Sequence, residues 1–189
     1  MNNETEQLIL GVDPGTTIMG YALLRVHLRQ SEIVELNVVK MTRLQGQNAK
    51  LKKIFESTTD LLTQYQPDIL AIEAPFFGKN PQSMLKLGRA QGVVIAACLH
   101  AGLPVYEYSP RKIKQAITGN GSASKEQVAA MLHAMYTFSN DSNYLDATDA
   151  LAVAVCHHLQ NRISLSGSDN KANNWQSFLA QNQDRIIKN

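Results

Sequence analysis

The sequence predicts an α/β domain built on a mixed five-stranded sheet with helices on both faces, and three observations carry that expectation. Three short apolar runs follow one another before Lys40 with no helical spacing between them, which reads as an antiparallel meander. After them, segments with apolar positions at helical spacing alternate with short apolar runs, the pattern of strands joined by crossover helices. Finally, 189 residues of which 44% are hydrophobic suffice for one domain with a substantial core and are too few for two.

Leu8–Val12 is an apolar run ending in the turn signal Asp13-Pro14-Gly15, and Gly20–Val26 is a second, partly β-branched run, so the two form antiparallel strands. Ile33–Val39 alternates apolar and polar residues over its first half and makes a third strand. Asn48–Tyr65 sets Leu51, Ile54, Phe55, Leu61 and Leu62 at helical spacing, and Gln66-Pro67 ends that helix. Asp68–Ile72 is a short apolar run; Pro75 stops a central strand there and leaves Glu73 at its end. Ser83–Ala101 carries Met84, Leu87, Val94, Ala97 and Cys98 at helical spacing and closes at Gly102. Val105–Tyr108 is a further strand. Pro110 opens a helix through Ile117, Gly119–Ser122 is a flexible turn, and Ser124 with Gln127 makes a capping box for the next helix. The alanine-rich Asp146–Leu159 is the last regular element. This order is that of a ribonuclease-H-like sheet. Residues 1–160 are expected to form the domain. Residues 161–189 form a polar tail, with 161–174 as linker and Trp175, Phe178 and Leu179 docking a short helix.

Composition excludes some classes. Val93–Leu99 falls well short of the roughly 20 apolar residues of a membrane span, and the polar, acidic start Met1–Gln7 is unlike a signal peptide. Cys98 and Cys156 lie in apolar helical stretches, as small buried hydrophobes in a reducing cytoplasm do. A net charge of +2 does not announce a nucleic-acid partner. The clustering of Lys79, Lys86, Arg89, Arg111, Lys112, Lys114 and Lys125 in the central third does, because phosphate attraction depends on where charge is placed. Phe76-Phe77, between Pro75 and Gly78, offers an exposed aromatic that can stack on splayed bases, with Phe77 the better candidate to plug the core. His157-His158 ends a helix, where positive charge is favourable, and either could also help hold a phosphate near the last carboxylates.

Four acids fall at element ends that such a fold can bring together: Asp13, Glu73, Asp146 and Asp149. Singly, each has a plain structural explanation as turn former, strand terminus or helix cap. Asp146 and Asp149, three apart at a helix start, share one face and can share one cation. Like charges this close raise one another's pKa unless something positive sits among them. Hard oxygen donors without Cys or His favour Mg²⁺ or Mn²⁺ over zinc. Two such ions about 3.5–4 Å apart can activate a water and stabilise the leaving oxygen of an in-line phosphoryl displacement.

Taken together, Leu8-Ile9-Leu10-Gly11-Val12-Asp13-Pro14-Gly15, Ile72-Glu73 with Phe76, Leu85-Lys86-Leu87-Gly88-Arg89-Ala90-Gln91-Gly92, and Asp146-Ala147-Thr148-Asp149-Ala150-Leu151-Ala152 resemble the successive blocks of the RuvC family of Holliday junction resolvases. Lys114-Gln115 and Gly119–Val128 add to the resemblance, which covers Leu8 to His158. It departs at Ala74-Pro75 and in the tail. The resemblance implies a ribonuclease-H-like, Mg²⁺-dependent endonuclease with two ions per site, Mn²⁺ being able to substitute. It also implies a homodimer, four-way junction DNA as substrate cut by paired symmetric nicks, and a branch-migration complex of the RuvA and RuvB type as partner. By position, Asp13, Glu73, Asp146 and Asp149 take the metal-binding catalytic roles, Lys114 and Lys125 contact phosphate, and Phe76 stacks on the junction. Arg89 and Arg111 join the DNA-binding surface. The helix Ser83–Ala101, with the stripe Met84, Leu87, Gly88, Gln91 and Val94, is the expected dimer interface. Two other enzyme readings compete: a ribonuclease-H-like nuclease for another nucleic acid, such as RNA–DNA hybrid, and an actin/sugar-kinase-type ATP-binding protein, whose phosphate loop Asp13–Thr17 also resembles. A scaffold that has lost its chemistry is disfavoured because all four acidic positions are filled.

Overall fold

The computed structural model describes residues 6–28, 30–75, 80–138 and 145–166, with backbone alone at 145 and 162–166. The five strands are β1 (Gln7–Asp13), β2 (Ile18–His27), β3 (Gln30–Lys40), β4 (Ile69–Glu73) and β5 (Val105–Tyr108), in the sheet order β3-β2-β1-β4-β5. The pairs β1–β2 and β2–β3 are antiparallel; β1–β4 and β4–β5 are parallel. Among the described residues the helices are α1 (Gln47–Tyr65), α2 (Pro81–His100), α3 (Pro110–Thr118), α4 (Lys125–Met135) and α5 (Leu145–Ser166). This is the mixed, ribonuclease-H-like sheet expected from the sequence.

Strand alternation sorts the side chains between two faces. Leu10, Val12, Met19, Leu23, Leu70 and Ile72 turn to one side, where they form a core with Ile54 and Leu61 of α1 and Ala90, Val94 and Cys98 of α2. Their odd-numbered neighbours in β1 and β4 turn to the other side, toward α5. There Gly11 and Gly20 leave no room to spare: a Cβ on Gly11 would lie 2.4 Å from the Ala150 carbonyl oxygen, and one on Gly20 would lie 2.2 Å from that of Asp146. The two glycines therefore let the α5 backbone lie directly on β1 and β2. Ala147, Ala150, Leu151 and every residue from Ala152 to His158 are buried, as befits a helix apolar on all sides.

Several boundaries differ from expectation. Strands β2 and β3 extend until His27 pairs with Gln30, because the backbone ladder holds polar residues that the alternation of side chains does not reveal. Helix α2 begins at Pro81, since the Asn80 side chain accepts from the Gln82 and Ser83 N–H groups and Pro81 occupies the first helical position. Helix α5 continues to Ser166, past the expected Leu159, since no residue before Gly167 breaks it. His157 and His158 are thus not at a helix end, and both are buried. Of the stripe expected on α2, Met84 and Leu87 are half-buried and Gly88 is exposed. Gln91 and Val94 are buried against the sheet, while the outward face of α2 carries Leu85, 64% exposed, with Gly88, Gly92, Ala96 and Leu99 in line with it. The chain divides into two compact units, Met1–His158 and Leu159–Asn189. The first holds the sheet; of the second, 159–166 are described and are helical. Trp175, Phe178 and Leu179 lie outside the described residues.

Candidate active site

β1 and β4 run parallel with Val12 opposite Ile72, so the next step along the register sets Asp13 beside Glu73 at the carboxyl ends of both strands. Both belong to the residues that alternate toward α5. The close approach at Gly11 and Gly20 brings the first turns of α5, with Asp146 and Asp149, to that same edge. Asp13, Glu73 and Asp149 line one cavity of about 270 Å³ together with Lys114 of α3 and Lys125 of α4. Its apolar floor comes from Ile113, Val128 and Ala152. Asp146 is exposed and lines an adjoining hollow shared with Lys125 and Asp149.

Local sequence explains how the lysines arrive. Ser109 caps α3 by accepting from the Lys112 N–H, and Pro110 follows it, so α3 starts at the end of β5 and sends Lys114 to the cavity. The Gln115 side chain accepts from the Gly121 N–H and donates to the Gly119 carbonyl, tying down the turn between α3 and α4. The Ser124–Gln127 capping box then starts α4 at Lys125, as the sequence predicts. The Lys125 ammonium donates to the Asp149 carboxylate at 2.5 Å.

The electrostatics are those of a crowded anionic cleft. Burial, reinforced by Asp149 and Asp146 and opposed by Lys125, pushes the Asp13 carboxyl up to about 6. Burial together with Asp13 and Asp149 pushes Glu73 up to about 7, although Lys125 and Lys114 pull it down. The Lys125 ammonium is raised, first by its hydrogen bond to Asp149. Negative charge is therefore in excess even with both lysines present. Among the described residues no three carboxylate, His or Cys side chains stand close enough to hold one ion as placed. Even so, the donor set suits a hard divalent cation: carboxylate oxygens only, with two acids whose charged form burial disfavours and an entering cation would favour.

Of the other sequence candidates, Arg89 is exposed on α2 and Arg111 on α3, where Arg111 lies against Gly121; neither lines the cavity. Phe76 and Phe77 lie outside the described residues. Pattern reading missed Gly11 and Gly20 as the residues that seat the acids of α5. It also misjudged His157, whose Nδ1 lies 2.7 Å from the Tyr108 hydroxyl. Burial first, then His158, pushes His157 down to about 4, so it is neutral at physiological pH and not a cation at a helix terminus.

Residues 9–157 match the family described as crossover junction endodeoxyribonuclease RuvC. Relatives named as that enzyme include one from Cytophaga hutchinsonii, 49% identical over 96% of this chain and 88% of the relative. Another, from Bacteroides fragilis, is 49% identical over 96% of each chain. Among solved structures, a Thermus thermophilus RuvC in complex with Holliday junction substrate superposes with a TM-score of 0.77 at 30% identity, covering 84% of this chain and 96% of that one. The family match runs through all four sequence blocks. On sequence, on fold and on the placing of its acids, this chain belongs to the RuvC family of crossover junction endodeoxyribonucleases.

Proposed function

We propose that this chain resolves four-way DNA junctions by hydrolysing one phosphodiester bond per protomer, with Mg²⁺ as cofactor and Mn²⁺ able to replace it. The observation that carries the reading is the convergence of Asp13, Glu73 and Asp149 with Lys114 and Lys125 on one open cavity. In this reading Asp13, Glu73 and Asp149, with Asp146 at the rim, hold two cations. When bound, the ions supply Lewis-acid activation of water and neutralise charge on the phosphate. Lys114 contacts the phosphate from α3. Lys125 gives up its bond to Asp149 and takes the phosphate from the opposite wall, so that the ammonium follows the negative charge that enters the cleft. The apolar floor of Ile113, Val128 and Ala152 lies beside the half-buried Asp13 and Glu73, where charge interactions are stronger than in open water. Arg89 and Arg111 belong to the outer DNA surface, and Phe76 is the candidate for stacking on the junction.

A four-way junction has two-fold symmetry, so two symmetric nicks call for a two-fold dimer with one site per protomer. The outward face of α2 supports that assembly: Leu85 and Leu99 flank Gly88, Gly92 and Ala96, small residues that allow close helix approach. A branch-migration complex of the RuvA and RuvB type is the matching partner, and the bacterial cytoplasm the matching compartment. No described helix is long and apolar enough to cross a membrane.

Incubating the protein and Mg²⁺ with labelled four-way junction, linear duplex and RNA–DNA hybrid side by side tests this. The junction should be cut by paired nicks and the others left intact. Asp13→Asn should lose at least about 100-fold in cleavage while still binding junctions, since it deletes a metal ligand and relieves repulsion of phosphate. Equal cutting of duplex or hybrid, or wild-type cleavage by Asp13→Asn, would overturn the reading.

A further inference from the structure

Tyr108 stands at the meeting point of the elements that carry the acids. Its backbone pairs with Glu73, and its carbonyl accepts from the Ala74 N–H at 2.9 Å, so the chain on either side of the Glu73 carboxylate is registered against Tyr108. Its side chain, 5% exposed, alternates to the α5 face of the sheet, and there its hydroxyl meets His157 Nδ1. His157 is wholly buried on α5, eight residues beyond Asp149, which is about 12 Å along the helix. Tyr106, two residues earlier on the same side of β5, lays its ring 4.6 Å from the imidazole, so His157 is held between two tyrosines. The Lys112 ammonium sits 5.1 Å from the Tyr108 ring centre, and the Cys156 thiol donates to the Lys112 carbonyl, which joins the first turn of α3 to the same group.

From this geometry we infer that Tyr108 and His157 are positioning residues for the metal site: their buried hydrogen bond sets the spacing between the Glu73 strand and the α5 helix that presents Asp149. Apolar contact alone leaves a helix free to slide along a sheet by fractions of an ångström. A buried hydrogen bond between two ring systems removes that freedom, because leaving either polar group unmatched is costly. The pair touches neither substrate nor ion. It acts through Glu73 and Asp149, and so it affects how well these close on a cation. Because the imidazole is neutral across the physiological range, the bond is insensitive to pH there. The inference rests on the metal-dependent reading of the cavity.

Tyr108→Phe removes only the hydroxyl and keeps the ring beneath Lys112. His157→Leu removes the partner, and His157→Asn restores a polar atom near the Nδ1 position. Two quantities are measured on each full-length variant: the Mg²⁺ concentration for half-maximal junction cleavage, and the thermal stabilisation that Mg²⁺ brings without DNA. Tyr108→Phe and His157→Leu should each raise the half-saturating Mg²⁺ about 10-fold and shrink the Mg²⁺-dependent stabilisation, while His157→Asn returns to within about 3-fold of wild type. Junction binding without metal should be unchanged in all three. A purely structural pair lowers the melting temperature in EDTA and leaves both Mg²⁺ responses as in wild type, and that result overturns the inference. So does failure of His157→Asn to recover when His157→Leu is impaired. If wild-type protein itself ignores Mg²⁺, the metal reading and this inference fall together; if it responds and Tyr108→Phe responds equally, this inference alone falls.

Discussion

Glu73 shows how a single side chain carries the character of the cleft. Its folded-state pKa, pushed up to about 7 by burial and by Asp13 and Asp149, lies well above the ordinary carboxylate value of 4.5. Such a group favours the folded state below the unfolded pKa, and that advantage is lost as pH rises through the folded value. In EDTA, stability should therefore decline between about pH 4.5 and 7, with Asp13 adding to the decline as it titrates near 6. Glu73→Gln mimics the protonated form. It should raise the metal-free melting temperature by roughly 2–4 °C at pH 8 and change it little at pH 4.5. Equal shifts at both pH values would show that the buried charge on Glu73 is not the cause. The lysines give a second check at this scale. Lys114→Ala and Lys125→Ala should each lower the salt dependence of junction binding by about one phosphate contact, and unchanged slopes in both would return them to ordinary solvated surface. That these residues are candidates for one site was legible in the motifs. That both carboxyls are raised, Glu73 to about 7, was not, because burial depends on which strands adjoin and which helix covers them.

Helix α5 brings Asp149 to the cavity that Asp13 and Glu73 line, and Asp146 to the hollow beside it. Its backbone rests on the Gly11 and Gly20 positions, and the Asp146 carbonyl lies where a Gly20 side chain would begin. The obstacle is backbone on both sides, so Gly20→Ala must lift the helix. We expect it to cost about 1–3 kcal/mol in stability and to reduce cleavage by more than 10-fold, as the acids of α5 draw away from Asp13. Urea midpoints and single-turnover cleavage measure the two effects, and a variant as stable and as active as wild type would mean that α5 has slack here. The sequence showed both glycines and an alanine-rich helix. It could not show that they touch, since β1, β2 and α5 are far apart along the chain. Helix α2 teaches a related point. Met84, Leu87, Gln91 and Val94 form one face at helical spacing, and Leu85, Gly88, Gly92, Ala96 and Leu99 form the next. Periodicity finds both, and only the packing on α1 and the sheet says which turns inward.

At the scale of the whole molecule, the outward face of α2 leads to the prediction about assembly. Leu85, 64% exposed, stands at one end of the stripe, and in a two-fold pair an antiparallel α2 sets it near Leu99 of the other copy. Leu85→Glu places a charge in that contact without disturbing the core. It should yield a folded monomer by light scattering at micromolar concentration, one that binds junctions weakly and nicks them singly. A stable Leu85→Glu dimer with paired nicking would place the interface elsewhere.

By itself the sequence determined the class of fold, the order of its elements, and the candidate acids and lysines of the site. Those properties follow from local rules: period-two and helical spacing, caps at Ser109 and Ser124, a proline after Glu73, and residue types suited to hard cations and phosphate. Tertiary structure alone decided the rest. Parallel pairing of β1 with β4 set Asp13 beside Glu73, and glycine contacts seated Asp149 across from them. Burial raised the Asp13 and Glu73 carboxyls, and His157, which by position looks like a charged helix end, became a neutral partner of Tyr108. The reason is physical: distance between residues remote in sequence, and the desolvation that comes with it, are properties of the packed chain, and no local spacing encodes them.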